Sequence, residues 1–547
     1  MSVVTATILN QTEGKLGDIY PLLSIDIWRE VNRIPHASLV LVDGDAAARK
    51  FALSDTAFFA PGADIEIKLR YEGLTQDATV FKGKVVRHGV EANVRGSLLR
   101  VDLKDDAFKL TQGRKSQVFR DQSDADLVGK LLAESKLKKG SIGATPTQHA
   151  EIAQYQCSGW DFILARAEAN GLLVLVLDGE VSLRPVALAA TAKHHFDFGI
   201  SDLHEIEFEL DASDQVAKIS SQGWDLAAQK PSALLQAKDF ALKQGNLGGA
   251  QLAAKLGFAD PVLTHPVPLT PKELQAWADA RLVRSRMSML RGRVSVAGDP
   301  ALALLDLIEI DGVGKRFDGK TPITGLCHRV DVDGWRTDVQ FGLSPRGFCQ
   351  EPGIQDAQAA GLLPGIGALH IGVVSKFEAD PDKQFRVKVS LPGVGAENEA
   401  VWARLATPEA GKERGYFFRP EPGDEVVVGF FNHDPRQPVI LGALYSAKNV
   451  PPAGCTPLDE KNPAKGIVSR GGTKILFNDA DKASLSLETA SKNKIVLDDD
   501  QQSISITDQH GNKITLDKDG IKIDSAKDLI LSAAGKVEIK GQKVDVK

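Results

Sequence analysis

The C-terminal part of the chain repeats one short pattern, an apolar-polar-apolar triplet. Nine triplets follow one another, and their first members recur every seven to ten residues. Because strand side chains alternate with period two, both apolar members of a triplet lie on one face of a strand. One triplet buries too little apolar surface to be stable alone, so the units must stack on each other or on other copies. The pairs are Ile475 and Phe477, Leu485 and Leu487, Ile495 and Leu497, Ile504 and Ile506, Ile514 and Leu516, Ile521 and Ile523, Leu529 and Leu531, Val537 and Ile539, and Val544 and Val546.

The side chains of the repeat suit a narrow structure. No aromatic residue follows Phe477 and no proline follows Pro463, so mid-sized aliphatic residues face inward and the backbone ladder is uninterrupted. We predict that three copies wind around one axis over residues 466–547, as an intertwined triple-stranded β-helix without a free sheet edge. A small β-meander or sandwich remains the alternative. The predicted needle core is Ile495, Leu497, Ile504, Ile506, Ile514, Leu516, Ile521, Ile523, Leu529, Leu531, Val537 and Ile539.

Composition narrows the possible partners and the compartment. The chain has 547 residues and a net charge of -6, which favours several domains and disfavours nucleic acid or an anionic membrane as partner. Its four cysteines show no CxxC spacing, so neither a disulfide framework nor a cysteine zinc site is indicated. The N-terminus lacks the pattern of a signal peptide. We therefore expect synthesis in the cytoplasm without a signal peptide.

The rest of the chain is predicted to be mainly β. Alternating strands fill the N-terminal third, and helices are predicted in DADLVGKLLAESKL and SGWDFILARAEANG. A third helix begins where Thr270, Pro271 and Glu273 form a capping box with a first-turn proline. The predicted parts are a first hub β-barrel (1–120), a helical insert with a second hub β-barrel (121–350), a linker (351–365), a five-stranded OB-size barrel (366–447), a connector (448–465) and the needle (466–547).

A family resemblance is carried by the string VWARLATPEAGKERGYFFRPEPGDEVVVGFFNHDPRQPVILGALYSAKNVPP, which begins at Val401. It resembles the oligonucleotide/oligosaccharide-binding (OB) barrel of the VgrG and phage tail hub-spike family. Upstream, residues 155–171 resemble the hub helix of that family, and residues 312–343 resemble its second barrel. The resemblance covers nearly the whole chain, in the order hub, OB barrel, needle. It is nearest to the spikes of extracellular contractile injection systems.

The resemblance implies a homotrimer. Two similar hub barrels per chain would give a pseudo-six-fold ring that docks a hexameric inner-tube protein and baseplate proteins. Cargo effectors are a further partner that the resemblance allows. The chain ends KVEIKGQKVDVK, without the His-x-His metal sites of some phage needles. We therefore expect an open apolar end that a separate PAAR-like tip protein caps. The predicted docking residues for that protein are Val544, Asp545, Val546 and Lys547.

Three motifs could indicate chemistry, and we reject each of them. GKRFDGKT, residues 314–321, matches the P-loop pattern, but strand-like sequence follows where a helix is required. Asp498 to Asp500 could suggest a calcium loop, but solvated turn residues explain them better. A third group, AKHHFDFGISDLHE, has no signature that fixes a metal geometry. Its candidate metal ligands are His194, His195, Asp197 and His204.

The aromatic and basic residues of the OB barrel resemble a single-strand nucleic acid platform only superficially. Acidic residues flank them, and we interpret the aromatic residues as core. These residues are Phe417, Phe418, Arg419, Phe430 and Phe431, and the acidic ones are Glu421, Asp424 and Glu425. No catalytic residue, cofactor or metal is predicted.

The predicted function is the trimeric central spike and hub of a contractile injection apparatus, which contacts the target membrane only during injection. The particle could belong to type VI secretion, to an extracellular injection particle or to a phage-like tail. Two alternatives remain. One is an enzyme with a trimerising β-stalk, and the other is a receptor-binding fibre.

Overall fold

A computed structural model describes residues 3–94, 96–201, 203–351, 353–354, 357–393, 400–455 and 460–547. The fold is mainly β, as predicted. The chain divides into two compact units, residues 1–356 and residues 357–547. Among the described residues, no helix is both long and apolar enough to cross a membrane.

Among its described residues, the first unit contains twenty-four strands and four α-helices. The predicted helices are present as α1, α2 and α4, while α3 was not predicted. The strands are β1 (Val4–Asn10), β2 (Gly14–Lys15), β3 (Leu22–Glu30), β4 (His36–Val42), β5 (Asp64–Tyr71), β6 (Ala78–Asn93), β7 (Gly96–Lys104), β8 (Lys115–Ser123), β9 (Lys138–Ile142), β10 (Gln148–Cys157), β11 (Leu172–Leu177), β12 (Glu180–Pro185), β13 (His194–Asp197), β14 (Leu203–Leu210), β15 (Ser220–Gln222), β16 (Trp224–Asp225), β17 (Lys230–Pro231), β18 (Leu235–Gln236), β19 (Lys243–Gln244), β20 (Val262–Thr264), β21 (Leu290–Ala297), β22 (Leu307–Asp311), β23 (Gly319–Asp331) and β24 (Gly334–Phe341). The helices are α1 (Asp124–Glu134), α2 (Gly159–Ala169), α3 (Gly249–Leu256) and α4 (Pro271–Met287).

Helix α4 begins at the capping box that the sequence predicts. The Thr270 hydroxyl accepts from the Glu273 amide, and the Glu273 carboxylate accepts from the Thr270 amide at 2.9 Å. Pro271 occupies the first turn, where a missing amide hydrogen costs nothing. The helix continues to Met287 and packs Ala278 and Leu282 against a small core with Ile219 and Ala237.

The two predicted hub barrels share one fourteen-stranded sheet. Strand β3, from the N-terminal part, pairs antiparallel with β23, so that Ile27 lies opposite His328. One apolar core lies under β1 and β3 to β7, and a second lies between β14 and β21 to β24. The division of the hub at residue 120 remains a prediction.

His328 is fully buried at the junction of the two hub parts. Its Nδ1 lies 2.8 Å from the Thr337 hydroxyl. Burial, with the charge of Arg29 nearby, lowers the pKa of His328 to about 3. The ring is therefore neutral in the folded hub at any ordinary pH.

Acid should destabilise the hub through His328. Between the ordinary pKa of 6.5 and the folded value of about 3, the unfolded chain holds a proton that the folded chain lacks, so stability falls as pH falls. We expect this residue to remove on the order of 3 kcal/mol of unfolding free energy between pH 7 and pH 4. Urea unfolding of the chain at pH 7 and at pH 4 measures this loss of unfolding free energy. The loss should shrink in His328→Gln but persist in His195→Gln, whose ring is exposed; equal losses in both variants would contradict the assignment.

The second unit begins with the predicted five-stranded barrel, which is closed in the order β25-β26-β27-β31-β30. Its core is entirely aliphatic, with Val389, Val426, Val428 and Ile440 fully buried. The barrel strands are β25 (His370–Val374), β26 (Val387–Ser390), β27 (Ala400–Leu405), β30 (Glu425–Phe430) and β31 (Pro438–Ala443), and a hairpin of β28 (Ala410–Gly411) and β29 (Arg414–Gly415) projects between β27 and β30.

The repeat follows the barrel as a seven-stranded sheet. Each strand has five residues and pairs antiparallel with the next one of the same chain. Within one chain, the strands therefore pair as a β-meander, which is the alternative that the sequence left open. The winding of three copies around each other remains a prediction. The strands are β32 (Ala464–Val468), β33 (Lys474–Asn478), β34 (Ser484–Glu488), β35 (Lys494–Asp498), β36 (Ser503–Thr507), β37 (Lys513–Asp517) and β38 (Gly520–Asp524).

Candidate functional site: the C-terminal sheet

The apolar residues of the repeat form two continuous columns on one face of the C-terminal sheet. The strand register places each apolar residue directly opposite another one, with no slip between neighbouring strands. Six steps of about 4.8 Å make the first column about 30 Å long, and five steps make the second about 25 Å long. The first column is Ile467, Ile475, Leu487, Ile495, Ile506, Ile514 and Ile523, and the second is Phe477, Leu485, Leu497, Ile504, Leu516 and Ile521.

These columns have no cover within the chain. Ile495 is 39% exposed, Ile506 is 43% exposed and Ile523 is 51% exposed. None of the described residues from 460 to 547 is buried. Water faces a strip of aliphatic side chains about 30 Å long. An exposed, contiguous apolar strip of this kind marks an association surface.

The opposite face of the sheet is mainly polar. Ser486, Ser505 and Thr515 lie in its central column together with Leu476 and Val496, and Lys474 lies opposite Glu488 at one margin. Opposite charges on paired strands attract weakly in water. The face with the two columns is therefore the more continuously apolar one, and it suits burial against another copy better.

Tight turns with acidic residues at their start connect the strands. Asp498 accepts from the Gln501 amide at 3.0 Å, and Asp508 accepts from the Asn512 amide at 2.8 Å. Five of the six turns contain or adjoin a residue with positive φ, for example Gly472 or Gly511. The acidic residues after β35 thus have partners within the sheet: Asp498 accepts the hydrogen bond from the Gln501 amide, and Asp500 pairs with Lys482. This agrees with turn residues rather than with a calcium loop.

The last segment, residues 525–547, behaves differently from the sheet. It continues the apolar pairs but contains no strand, and all of it is described. None of its residues has positive φ, in contrast to five of the six turns between the earlier strands. The predicted core residues of this segment are all exposed; they are Leu529, Leu531, Val537 and Ile539.

The predicted tip-docking residues lie at the end of this exposed segment. Val544 and Val546 are exposed, and Asp545 forms an ion pair with Lys543 at 2.8 Å. Lys547 is also exposed. Docking of a tip protein on these residues remains a prediction.

The P-loop-like string GKRFDGKT forms a turn between two strands. Strand β22 ends at Asp311, and Lys320 and Thr321 already belong to β23, opposite Glu309 and Ile308. A phosphate-binding loop requires a helix N-terminus at this place, whereas the chain continues as a thirteen-residue strand.

The histidine-rich segment is brought to acidic residues that sequence inspection missed. Strands β13 and β22 pair in parallel, so His195 lies opposite Glu309. The distance from His195 Nε2 to a Glu309 oxygen is 2.9 Å, and that from Nδ1 to an Asp311 oxygen is 3.5 Å. Of the predicted ligands, His194 pairs instead with Asp306, while Asp197 and His204 are not in this group.

This His195 cluster is explained by ion pairing. Lys320 Nζ lies 3.7 Å from the same Glu309 oxygen, and a cation there opposes a second cation at the carboxylates. Glu309 and Asp311 lie more than one hundred residues after His195 in the sequence. Only the parallel pairing of β13 with β22 brings them together, and no local sequence signal could have indicated it.

Three of the four phenylalanines of the OB barrel are not core, contrary to the sequence interpretation. Phe417 is 69% exposed, Phe418 is 63% exposed and Phe431 is 51% exposed. Phe430 alone of the four packs against the aliphatic core. The short aliphatic side chains of the barrel fill its interior, so the phenyl rings remain outside.

The fold therefore defines a class of protein, in which a large β hub precedes an OB-type barrel and an exposed β repeat. Three family models match this order. The Alg8 N-terminal domain matches residues 1–331, the type VI secretion system/phage-baseplate injector OB domain matches residues 370–445, and the phage baseplate V C-terminal trimerisation domain matches residues 484–547. The chain belongs to the Alg8 N-terminal domain family, and its barrel and repeat are those of the VgrG and phage tail spike proteins.

Curated relatives match over a short stretch. The type VI secretion system spike protein VgrG1c of Pseudomonas aeruginosa is 35% identical over 83 residues, which are 15% of this chain and 11% of that protein. The actin cross-linking toxin VgrG1 of Vibrio cholerae is 40% identical over 75 residues, 13% of this chain and 7% of the toxin. The chain thus spans about a tenth of the length of these relatives.

Among solved structures, the type VI secretion component c3393 of E. coli is similar at 12% sequence identity and a TM-score of 0.40. The similarity covers 80% of this chain and 99% of that one.

Proposed function

We propose that three copies of this chain form the central spike and hub of a contractile injection apparatus, and that the C-terminal sheets associate into a rigid needle. The observation that carries this proposal is the pair of uncovered aliphatic columns on one face of each sheet. Three such faces turned toward a common axis bury all six columns. Three polar faces then point outward.

The segment after Asp524 supports the same assembly. Its apolar pairs continue without any strand partner from their own chain. In a trimer, strands of the other two copies supply those partners, so that this segment is interwoven where the preceding sheets are not. Continuous backbone hydrogen bonding around the axis then leaves no sheet edge to fray.

The hub and the two ends of the molecule have distinct roles in this proposal. The hub docks the hexameric inner-tube protein and the baseplate, and a PAAR-like tip protein caps Val544 to Lys547. Cargo effectors are further possible partners. Synthesis occurs in the cytoplasm, and the assembled particle carries the chain to the target membrane.

The proposed action is mechanical rather than enzymatic. Sheath contraction drives the needle forward, and its small cross-section concentrates force on the target envelope. The absence of enzymatic activity is tested directly: purified chain should hydrolyse neither ATP nor cell wall, and Lys320→Ala and His195→Ala should behave as the wild-type chain. Hydrolysis that either substitution abolished would favour the enzyme with a trimerising stalk.

Electron microscopy of assembled particles tests the location of the chain. A label on the C-terminus should appear at the particle axis, at the distal end of the inner tube. A label found only on peripheral fibres would favour the receptor-binding alternative and would contradict the proposed role.

A further inference from the structure

Three consecutive aromatic residues on the barrel, Tyr416, Phe417 and Phe418, form an exposed segment that we call the aromatic segment. Their exposed fractions are 53%, 69% and 63%. The segment follows β29 and belongs to no strand. Its backbone is fixed by a hydrogen bond from the Tyr416 amide to the Glu409 carbonyl at 3.0 Å and by one from the Thr407 hydroxyl to the Tyr416 carbonyl at 2.8 Å.

The side of the aromatic segment next to the barrel is held by Arg419. Its guanidinium lies 5.1 Å from the centre of the Phe417 ring and 5.7 Å from that of Phe377. A guanidinium over an aromatic face is attracted by the negative charge of the ring face. The outer faces of Phe417 and Phe418 remain in water, where three adjacent aromatic side chains are costly.

The part of the barrel that carries the aromatic segment contacts the first turn of the C-terminal sheet. Glu421, three residues after Phe418, pairs with Arg470 at 2.9 Å. Arg470 lies in that turn, between β32 and β33. Ile467 and Ile475, the first two residues of the first column, lie on the two strands that this turn joins.

The neighbouring cleft has a volume of about 400 Å³ and is lined by residues that include Phe377, Phe385 and Trp402. Two of its four cations form ion pairs, Arg386 with Asp380 at 2.7 Å and Lys388 with Glu378 at 2.7 Å. Arg419 also lines this cleft, so that the cleft adjoins the aromatic segment.

We propose that the aromatic segment packs against a second copy of this chain and forms an aromatic collar at the base of the needle. This inference rests on the proposed trimer. The collar extends the interface of the sheets onto the barrel, and it adds large aromatic anchors to columns whose one aromatic residue is Phe477. Aromatic anchors at the centre of a packed contact dominate the energy of most interfaces.

Hydroxyl-radical footprinting of the full chain tests the collar. The oxidation rates of Phe417 and Phe418 are compared between the wild-type chain and Ile514→Asp, a substitution in the sheet that does not touch the barrel. We expect both rates to rise about tenfold when the trimer dissociates. Phe431 is the matched control. It is also exposed, but it follows the last residue of β30, about 20 Å along the strand from Glu425.

The outcomes separate the collar from the trimer itself. If Ile514→Asp remains trimeric, the columns do not form the trimer interface, and both the proposed assembly and the collar that extends it are overturned. If the variant dissociates while Phe417 and Phe418 oxidise equally fast in both states, the segment serves a partner outside the trimer and the collar is overturned.

A second measurement uses the double variant Phe417→Ser/Phe418→Ser. It should raise the trimer dissociation constant at least about tenfold, as measured by analytical ultracentrifugation. Phe417→Leu/Phe418→Leu should restore most of the affinity, and Phe431→Ser should leave it unchanged. An unchanged constant in the serine variant would also overturn the collar.

Discussion

Ile514→Asp is expected to dissociate the trimer. Ile514 lies in the first aliphatic column, between Ile506 and Ile523. In a trimer its replacement places three carboxylates at one level of the axis, with no cation beside them. Removing unpaired charges from water costs several kcal/mol in total. Size-exclusion chromatography with light scattering should therefore report the monomer mass, and the melting temperature should fall.

The neighbouring residue provides the control for this substitution. Thr515 follows Ile514 and points to the opposite face, where it pairs with Ser505 and Lys522. Thr515→Asp adds the same charge to the polar face, next to a lysine, and should leave the trimer intact. A trimer that survives Ile514→Asp with unchanged melting would mean that the aliphatic face is exposed in the assembly.

A chain that ends at Pro463 is expected to be a folded monomer. The hub and barrel cores contain no residue beyond Ile440 among those described. The truncation also removes the ion pair between Glu421 and Arg470, but both side chains are partly exposed and such a pair contributes little. Thermal unfolding should retain the hub and barrel transitions, whereas light scattering should show loss of the trimer. A truncated chain that remains fully trimeric would contradict the proposed role of the needle in assembly.

Local signals in the sequence were sufficient for the elements that depend on neighbouring residues. The capping box at Thr270 and Glu273 specified the start of α4. The alternating segments between residues 368 and 445 specified the five strands of the closed barrel. The period-two triplets placed Ile504 and Ile506 on one face of one strand, and the structure has them there. In each case the determining contacts lie within a few residues of each other.

Errors arose where distant segments meet. From the sequence, Phe417 and Phe418 are expected in the core because large aromatic residues are usually buried. The barrel interior is filled by valine and isoleucine from strands far apart in the sequence, which leaves no volume for the rings. The partners of His195 were missed for the same reason, since a parallel pairing of β13 and β22 creates that cluster.

The sequence by itself determined that the C-terminal repeat must be β and must present one aliphatic face, because side-chain alternation is a property of each strand. It left open whether that face is buried within one chain or against other copies. Only the tertiary structure decided that the strands pair within the chain as a meander up to Asp524 and that pairing then stops. Strand pairing depends on turn geometry and on register between segments, which the apolar triplets do not specify: the triplets continue through residues 525–547, yet no strand forms there within one chain.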